Sequence, residues 1–305
     1  MKDEILRRIE RELGVSDLAE RLGGRIQQAD LHSLLLEVFR RRASERTPAQ
    51  VLADYGSNRF VRPSTGDPRA LARFDAAAFA ALPSEFEPIE LSPVCPLGTS
   101  SVLATVHQDK ALASIRSVEV LSDATNVLAL ECAARRRKSP APVHLAASHR
   151  HLRTPLFQGP PSFAHFRLFA LCSAGRDSRD ERFHARALET HLRFYAGLLR
   201  GFLGPDAPVR IALTDLESEP PRELWRAAYP HVELVFDPNR ASGRGYYTDV
   251  CFKIHARAAD GEWLELGDGG AVDWTRKLLS NAKERLVISG VSSERACALV
   301  NPRGG

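Results

Sequence analysis

The chain has 305 residues, enough to bury one large core or two modest ones. Hydrophobic residues make up 44% and charged residues 26%, with a formal net charge of +4, which is an ordinary globular balance. No apolar run approaches the roughly 18 residues that a membrane span needs. The N-terminal segment MKDEILRRIERELG also lacks the apolar core of a secretory signal. We therefore expect a cytoplasmic protein without a membrane partner.

Two composition features bear on ligands. The mild positive charge permits an anionic partner such as ATP or RNA without requiring one. The five cysteines stand singly in apolar stretches, without CxxC or finger spacing, so we predict core hydrophobes rather than metal ligands or disulfides. The basic run at 135–138 precedes a proline-rich break. We interpret this run as a solvated loop, with phosphate contact as the alternative.

The first 58 residues predict a small helical domain. Ile5, Ile9 and Leu13 fall at helical spacing, and a later helix carries an apolar stripe that begins at Leu31. Thr47-Pro48 starts the last of four helices, with proline at the first helical position. Packing against the rest of the chain is the default role for this region. Binding of a partner, including RNA, is the alternative.

Residues 59–305 predict a second, larger domain. Helices are expected over 68–82 and 178–202. Strand-like segments cover 86–91, 101–107, 144–147, 166–172, 209–213, 232–236, 246–255, 263–266 and 286–289. Strands that follow one another closely, with helices grouped apart, indicate an α+β fold. We expect a mostly antiparallel central sheet flanked by helices.

Three segments near the C-terminus carry a family resemblance. They are GRGYYTDVCF, GDGGAVD and GVSSER, which begin at Gly243, Gly267 and Gly290. In this order they resemble the RGLDYYTG-like strand, the GGRYD-like turn and class II motif 3 of histidyl-tRNA synthetases. Upstream segments resemble motif 1 (89–93), the LRPEGT segment (121–125) and motif 2 (149–167). The chain thus resembles a class II aminoacyl-tRNA synthetase catalytic domain of the histidyl kind, without a following anticodon-binding domain.

The resemblance implies a site for ATP and Mg²⁺. It places Arg150 at the motif 2 arginine, between the substrate carboxylate and the α-phosphate, and Arg295 at the motif 3 arginine over the adenine. Phe166 is in register to stack on the other adenine face. Glu265 is a candidate Mg²⁺ ligand, and Arg244 would serve as the second catalytic arginine with a shifted register. Guanidinium groups suit this work because they stay charged and grip phosphate or carboxylate with two bonds.

The resemblance also implies an amino-acid pocket. Asp123 takes the place of the acidic residue that holds the α-ammonium group. The other implied substrate contacts are Thr125, Tyr246, Tyr247, Gly269 and Gly270. Because side chains alternate along a strand, we expect one tyrosine of the pair to face the pocket and the other the core. Leu168 and Cys172 stand where the family has further polar groups for the ammonium, and the GGRYD-like turn has lost its arginine and tyrosine.

These departures leave three interpretations open. The first is an adenylate-forming ligase that activates an amino acid or related carboxylic acid with ATP and passes it to tRNA, a carrier protein or a small nucleophile. The second is a non-catalytic paralogue, comparable to the synthetase-like regulatory subunit of ATP phosphoribosyltransferase, that binds a ligand or a partner. The third is an unrelated α+β domain. Motif 1 packs across a two-fold axis in this class, so we also expect a homodimer.

Overall fold

The computed structural model describes residues 2–64, 66–155, 164–177, 183–216, 232–240, 242–243 and 245–300. The chain forms two compact units. The first comprises Met1–Arg62 with Ala113–Val118, and the second comprises Pro63–Leu112 with Glu119–Gly305.

Helices and strands follow one another in a mixed order. The helices are α1 (Lys2–Leu13), α2 (Leu18–Glu20), α3 (Gln28–Ser44), α4 (Pro48–Ser57), α5 (Pro68–Ala81), α6 (Thr99–Leu103), α7 (Ala124–Lys138), α8 (Phe183–Leu203), α9 (Trp274–Leu279) and α10 (Ser293–Val300). The strands are β1 (Glu87–Pro88), β2 (Val94–Pro96), β3 (Ala113–Ser114), β4 (Val118–Val120), β5 (Val143–Leu152), β6 (His165–Arg176), β7 (Val209–Asp215), β8 (Glu233–Phe236), β9 (Val250–Arg257), β10 (Trp263–Val272) and β11 (Glu284–Ser292). No helix among the described residues is long and apolar enough to cross a membrane.

Helices α1 to α4 lie in the first unit, where the sequence predicts helices, and the segment Ala113–Val118 with strand β3 completes the unit. Helix α1 ends before Gly14, whose φ of 66° suits glycine. Helix α4 begins with a capping box, in which the Thr47 side chain accepts from the backbone N–H of Gln50 and the Gln50 side chain accepts from that of Thr47. Pro48 follows at the first helical position. Local capping therefore explains where this helix starts.

The second unit is organised around an eight-stranded sheet in the order β1-β5-β6-β11-β10-β9-β7-β8. Only the outer pairs, β1 with β5 and β7 with β8, are parallel, and the five inner pairs are antiparallel. The predicted α+β class with a mostly antiparallel sheet is confirmed.

Both faces of this sheet are covered by helices. One core contains residues of α5, α8 and α10, and the other contains residues of α7 and α9. Alternation along the strands divides side chains between the two cores: Val287 belongs to the first and Ile288 to the second. All five cysteines are free and buried, which confirms their predicted role as core residues.

Two predicted segments differ in the structure. The segment 101–107 forms the end of helix α6 and a loop rather than a strand. Here the buried carboxylate of Glu119 accepts from the backbone N–H groups of Gly98 (3.0 Å) and Ser100 (2.9 Å). The predicted strand 86–91 shortens to β1. In both cases contacts from distant segments decide the conformation.

The basic run 135–138 is also different from the prediction, because it forms the last turn of α7. Arg136 is buried there and makes two 3.0 Å hydrogen bonds to the Glu284 carboxylate on β11. Arg176 on β6 donates to the same carboxylate at 2.6 Å. Only 1% of the Arg136 and Glu284 side chains is accessible. This buried ion cluster ties α7 to two central strands.

Candidate functional site

A cavity of about 330 Å³ lies in the second unit, against strands β6, β10 and β11. The starts of α7 and α10 complete its wall, together with the segment before β9. Of the predicted site residues, the lining includes Asp123, Thr125, Phe166, Tyr246, Tyr247, Glu265 and Arg295. Motif-like segments that are far apart in sequence therefore do meet in one cavity.

The floor of the cavity includes a glycine. Gly290 shares a strand face with Ile288 and Ser292, which also line the cavity. A Cβ atom at Gly290 would have only the Phe169 carbonyl oxygen within 4 Å, at 3.6 Å. The missing side chain at Gly290 thus leaves space for a ligand.

Gly269 and Gly270 lie elsewhere. They are buried inside strand β10 rather than in the predicted turn, and neither lines the cavity. A Cβ at Gly269 would stand 2.5 Å from the Ser289 Cβ and 2.6 Å from the Phe252 ring. A Cβ at Gly270 would stand 2.7 Å from the Cys251 Cβ. These glycines permit close packing of adjacent strands.

This difference between the glycines makes a testable prediction. Gly269→Ala is expected to lower the free energy of unfolding by about 1–3 kcal/mol, because the added methyl group overpacks a closed site. Gly290→Ala, on the neighbouring strand, is the matched control and should change stability by less than about 0.5 kcal/mol. Urea denaturation measures both. Equal losses of stability in the two variants would contradict the assignment of their environments.

Both tyrosines line the cavity, contrary to the expected alternation. Strand β9 begins only at Val250, so Tyr246 and Tyr247 belong to the preceding turn. Their rings meet edge to face at 4.9 Å, and Tyr246 also contacts the Trp274 ring at 5.4 Å. Burial raises the pKa of both hydroxyls well above the usual value, so both remain neutral hydrogen-bonding groups.

The Asp123 carboxylate is held by hydrogen bonds from other protein groups. As the N-cap of α7, it accepts from the Thr125 backbone N–H at 3.0 Å and from the Thr125 hydroxyl at 2.8 Å. Arg153 donates to its second carboxylate oxygen at 3.2 Å. Nearby, the buried His151 ring accepts from the Ala124 N–H at 2.7 Å, and burial holds the pKa of His151 well below its usual value. The N-terminus of α7 is thereby fixed at the cavity wall.

A second carboxylate, Asp268, faces the cavity from β10. The buried Arg240 donates to it at 3.1 Å, and Tyr247 forms a hydrogen bond with it. Protein atoms surround the carboxylate closely enough that burial raises its pKa. Yet 46% of the side chain remains accessible, in contrast to 3% for Arg240. Asp268 is therefore an anionic group that a ligand inside the cavity can reach.

The three predicted arginines differ in their relation to the cavity. Arg295 lines the cavity and donates to the Glu265 carbonyl oxygen at 2.7 Å. Arg150 is not part of the lining. Its guanidinium lies 3.3 Å from the Glu294 carboxylate and 3.0 Å from the His165 ring. Arg244 lies outside the described residues.

The predicted adenine and metal positions are also occupied by protein contacts. Phe166 lines the cavity, but the Arg153 guanidinium already lies over its ring, 5.0 Å from the centroid. The Glu265 carboxylate pairs with Lys253 at 2.6 Å. In the described part of the chain, no group of three or more His, Cys, Asp or Glu side chains could hold a metal ion. The Glu265 carboxylate thus has a basic partner in the protein, and its role as a Mg²⁺ ligand stays a prediction.

The lining carries charges of both signs. Four carboxylates line the cavity, from Asp123, Glu265, Asp268 and Glu294, against the guanidinium groups of Arg153 and Arg295. Each carboxylate has a basic partner, which is Arg153, Lys253, Arg240 and Arg150 in that order. Burial raises the pKa of Asp268 and of Glu294. Such a lining offers partners to an ammonium group and to a carboxylate group.

Three charged lining residues were not predicted as site residues: Arg153, Asp268 and Glu294. Each lies within a motif-like segment, and Asp268 and Glu294 are adjacent to the predicted residues Gly269 and Arg295. Of the two substituted ammonium positions, Leu168 lines the cavity, whereas Cys172 lies under α7, 3.8 Å from Cys132.

No protein-family model matches the chain, and no curated protein matches its sequence. Solved structures do match. An ATP phosphoribosyltransferase regulatory subunit/histidyl-tRNA synthetase from Bacillus halodurans superposes with a TM-score of 0.61 at 12% identity, covering 79% of this chain and 83% of that one. Apo histidyl-tRNA synthetase from S. aureus gives 0.56 at 16% identity over 76% and 65% of the two chains.

A domain of threonyl-tRNA synthetase from Cryptosporidium parvum gives a TM-score of 0.54 at 12% identity, covering 76% of this chain and 63% of that one. The chain thus spans less than two thirds of the S. aureus and C. parvum proteins. Structural similarity at sequence identities this low shows a shared fold alone. The resemblance found in the motifs is confirmed at that level: the chain has a class II synthetase-like fold, similar to those of histidyl-tRNA synthetase and the ATP phosphoribosyltransferase regulatory subunit.

Proposed function

We propose that the protein is a non-catalytic synthetase paralogue that binds a small amino acid in the cavity and acts as a regulatory or partner-binding subunit. The observation that carries this proposal is that carboxylates, tyrosine rings and guanidinium groups line one cavity. Asp268 and the two tyrosine rings offer an anionic and aromatic environment to an ammonium group. Arg153 and Arg295 offer guanidinium groups to a carboxylate. A ligand with both charges fits this set better than ATP.

The contacts of the implied catalytic groups support a non-catalytic role. A motif 2 arginine must meet the α-phosphate to stabilise the charge that develops there. Arg150 is instead paired with Glu294 and His165. The proposal includes a homodimer formed through the motif 1-like segment at residues 89–93, as the family resemblance implies.

Calorimetry and thermal shift with the twenty amino acids, their decarboxylated amines and ATP with Mg²⁺ test the proposal. We expect one amino acid to raise Tm by about 5 °C at saturation, since binding to the native state stabilises it by mass action. We expect no shift with ATP and no pyrophosphate exchange into ATP. A response to ATP together with acid-dependent exchange would overturn the non-catalytic assignment.

A second candidate, the adenylate-forming ligase, rests on one observation. Arg295 and Phe166, which the resemblance assigns to the two faces of adenine, do line the same cavity. In that case the cavity binds an amino acid or another carboxylic acid beside ATP, and a tRNA or a carrier protein accepts the acyl group. Pyrophosphate exchange that depends on a single acid would identify this activity and its substrate together.

A further inference from the structure

The first unit carries most of the exposed apolar surface among the described residues. Sixteen large hydrophobic side chains are exposed among all the described residues, and twelve of these sixteen fall within residues 1–62. No described side chain between residues 3 and 62 is buried. Helices of a stable domain normally bury one apolar stripe. A concentration of uncovered apolar side chains of this kind marks an interaction surface.

The apolar side chains are arranged for helix packing. On α3, Leu34 and Val38 are four residues apart, as required for neighbours on one helix face, and Phe39 beside them is 55% exposed. On α4, Val51, Leu52 and Tyr55 share one face, and Leu52 is 70% exposed. Both helices therefore present side chains suited to insertion between those of another helix.

The exposed apolar area of α1, α3 and α4 is comparable with that of one stable interface. Ten of the twelve side chains lie on these helices and offer on the order of 500 Å² of apolar area, at roughly 50 Å² for each side chain. A standard interface buries about 800 Å² on each partner, of which roughly 500 Å² is apolar. A single partner of equal size would cover the surface.

The charges of this unit point to a second copy of the same chain. Residues 1–62 contain twelve Lys and Arg against ten Asp and Glu, interleaved along the helices. Within α3, for example, Arg41 pairs with Glu37 at 2.7 Å. A surface with both signs in near balance can meet its own copy around a two-fold axis without strong like-charge repulsion, whereas a polyanion such as RNA would find little net attraction.

We propose that α1, α3 and α4 form a symmetric helical interface with the same helices of a second copy. This interface is separate from the motif 1-like segment and does not depend on the ligand of the cavity. Full-length Phe39→Glu/Leu52→Glu should associate at least 10-fold more weakly in sedimentation velocity over a concentration series. Val102→Glu is the control, because Val102 is 73% exposed in the second unit, and it should stay within twofold of wild type. Identical assembly of the double variant and the wild type across the series, both in dissociation constant and in the largest species formed, overturns the proposal.

Hydrogen exchange at low and high protein concentration distinguishes burial of α3 and α4 by a second copy from burial by the same chain. In the wild type, exchange in α3 and α4 should slow as the concentration rises, and the double variant should lose this dependence. Protection that does not depend on concentration would mean that the same chain covers these helices, which overturns the proposal. Rapid exchange at every concentration would overturn it too. Circular dichroism verifies that both variants keep their helices, since only exposed side chains are changed.

Discussion

Replacement of Glu284 by alanine is expected to lower the free energy of unfolding by about 3–5 kcal/mol, because it leaves a buried arginine without its counter-charge. The Glu284 carboxylate receives two hydrogen bonds from Arg136 and one from Arg176. Arg136 also donates to the carbonyl oxygens of Pro140 and Ala141, so its guanidinium is held in place and cannot reach water easily. Urea denaturation of both proteins at pH 7 measures the loss.

The control is Glu189→Ala, which removes an exposed pair with Arg193 and should cost less than about 1 kcal/mol. The pH dependence is a second check. Burial raises the pKa of the Glu284 carboxyl, but the hydrogen bonds from Arg136 and Arg176 outweigh it and hold the pKa below its usual value. A depressed carboxyl pKa stabilises the fold above the unfolded-state value near 4.3 and less as the pH falls. The gap between wild type and Glu284→Gln should therefore narrow in acid, and a constant gap would contradict this account.

Arg136 also shows where reasoning from sequence stops. Local pattern identified most strands, the helices of the first 58 residues and the long helix now bounded as α8. Local pattern did not predict α7, because the four basic residues at 135–138 that end this helix are of a kind that is usually solvated in a loop. Only the fold brings Glu284, 148 residues away, to Arg136. Helix α6 was missed for the same kind of reason, since Glu119 binds its first turn from a distant segment.

The site was predictable as a set of segments but less so as a set of contacts. The motif resemblance brought Asp123, Phe166 and Arg295 to one cavity, because a shared fold fixes where those segments lie. Side-chain roles depend on neighbours that the motifs do not encode. The Arg150 guanidinium pairs with the Glu294 carboxylate. Tyr246 and Tyr247 precede strand β9, and the alternation of side chains along a strand does not predict where that strand begins.

Neutralising Asp268 is expected to weaken amino-acid binding by about 10- to 100-fold. Asp268→Asn keeps the size of the side chain and removes its charge, and a hydrogen bond to a charged group is worth about 1.5–3 kcal/mol. Affinity of the wild type should also fall as the pH drops towards the raised pKa of Asp268, because the protonated carboxyl no longer attracts an ammonium group. Calorimetry with the amino acid found by screening, from pH 7.5 down to pH 5, measures both effects.

Glu262→Gln provides the matched control, since it removes one carboxylate from the same hairpin at an exposed position outside the cavity. Its affinity should stay within about twofold of wild type, because exposed charges at a distance are screened by salt. A similar loss in both variants would mean that net charge, not a contact with Asp268, governs binding. Unchanged amino-acid affinity in Asp268→Asn would instead remove Asp268 from the ligand's contacts and assign the ammonium group to another lining carboxylate, such as Asp123.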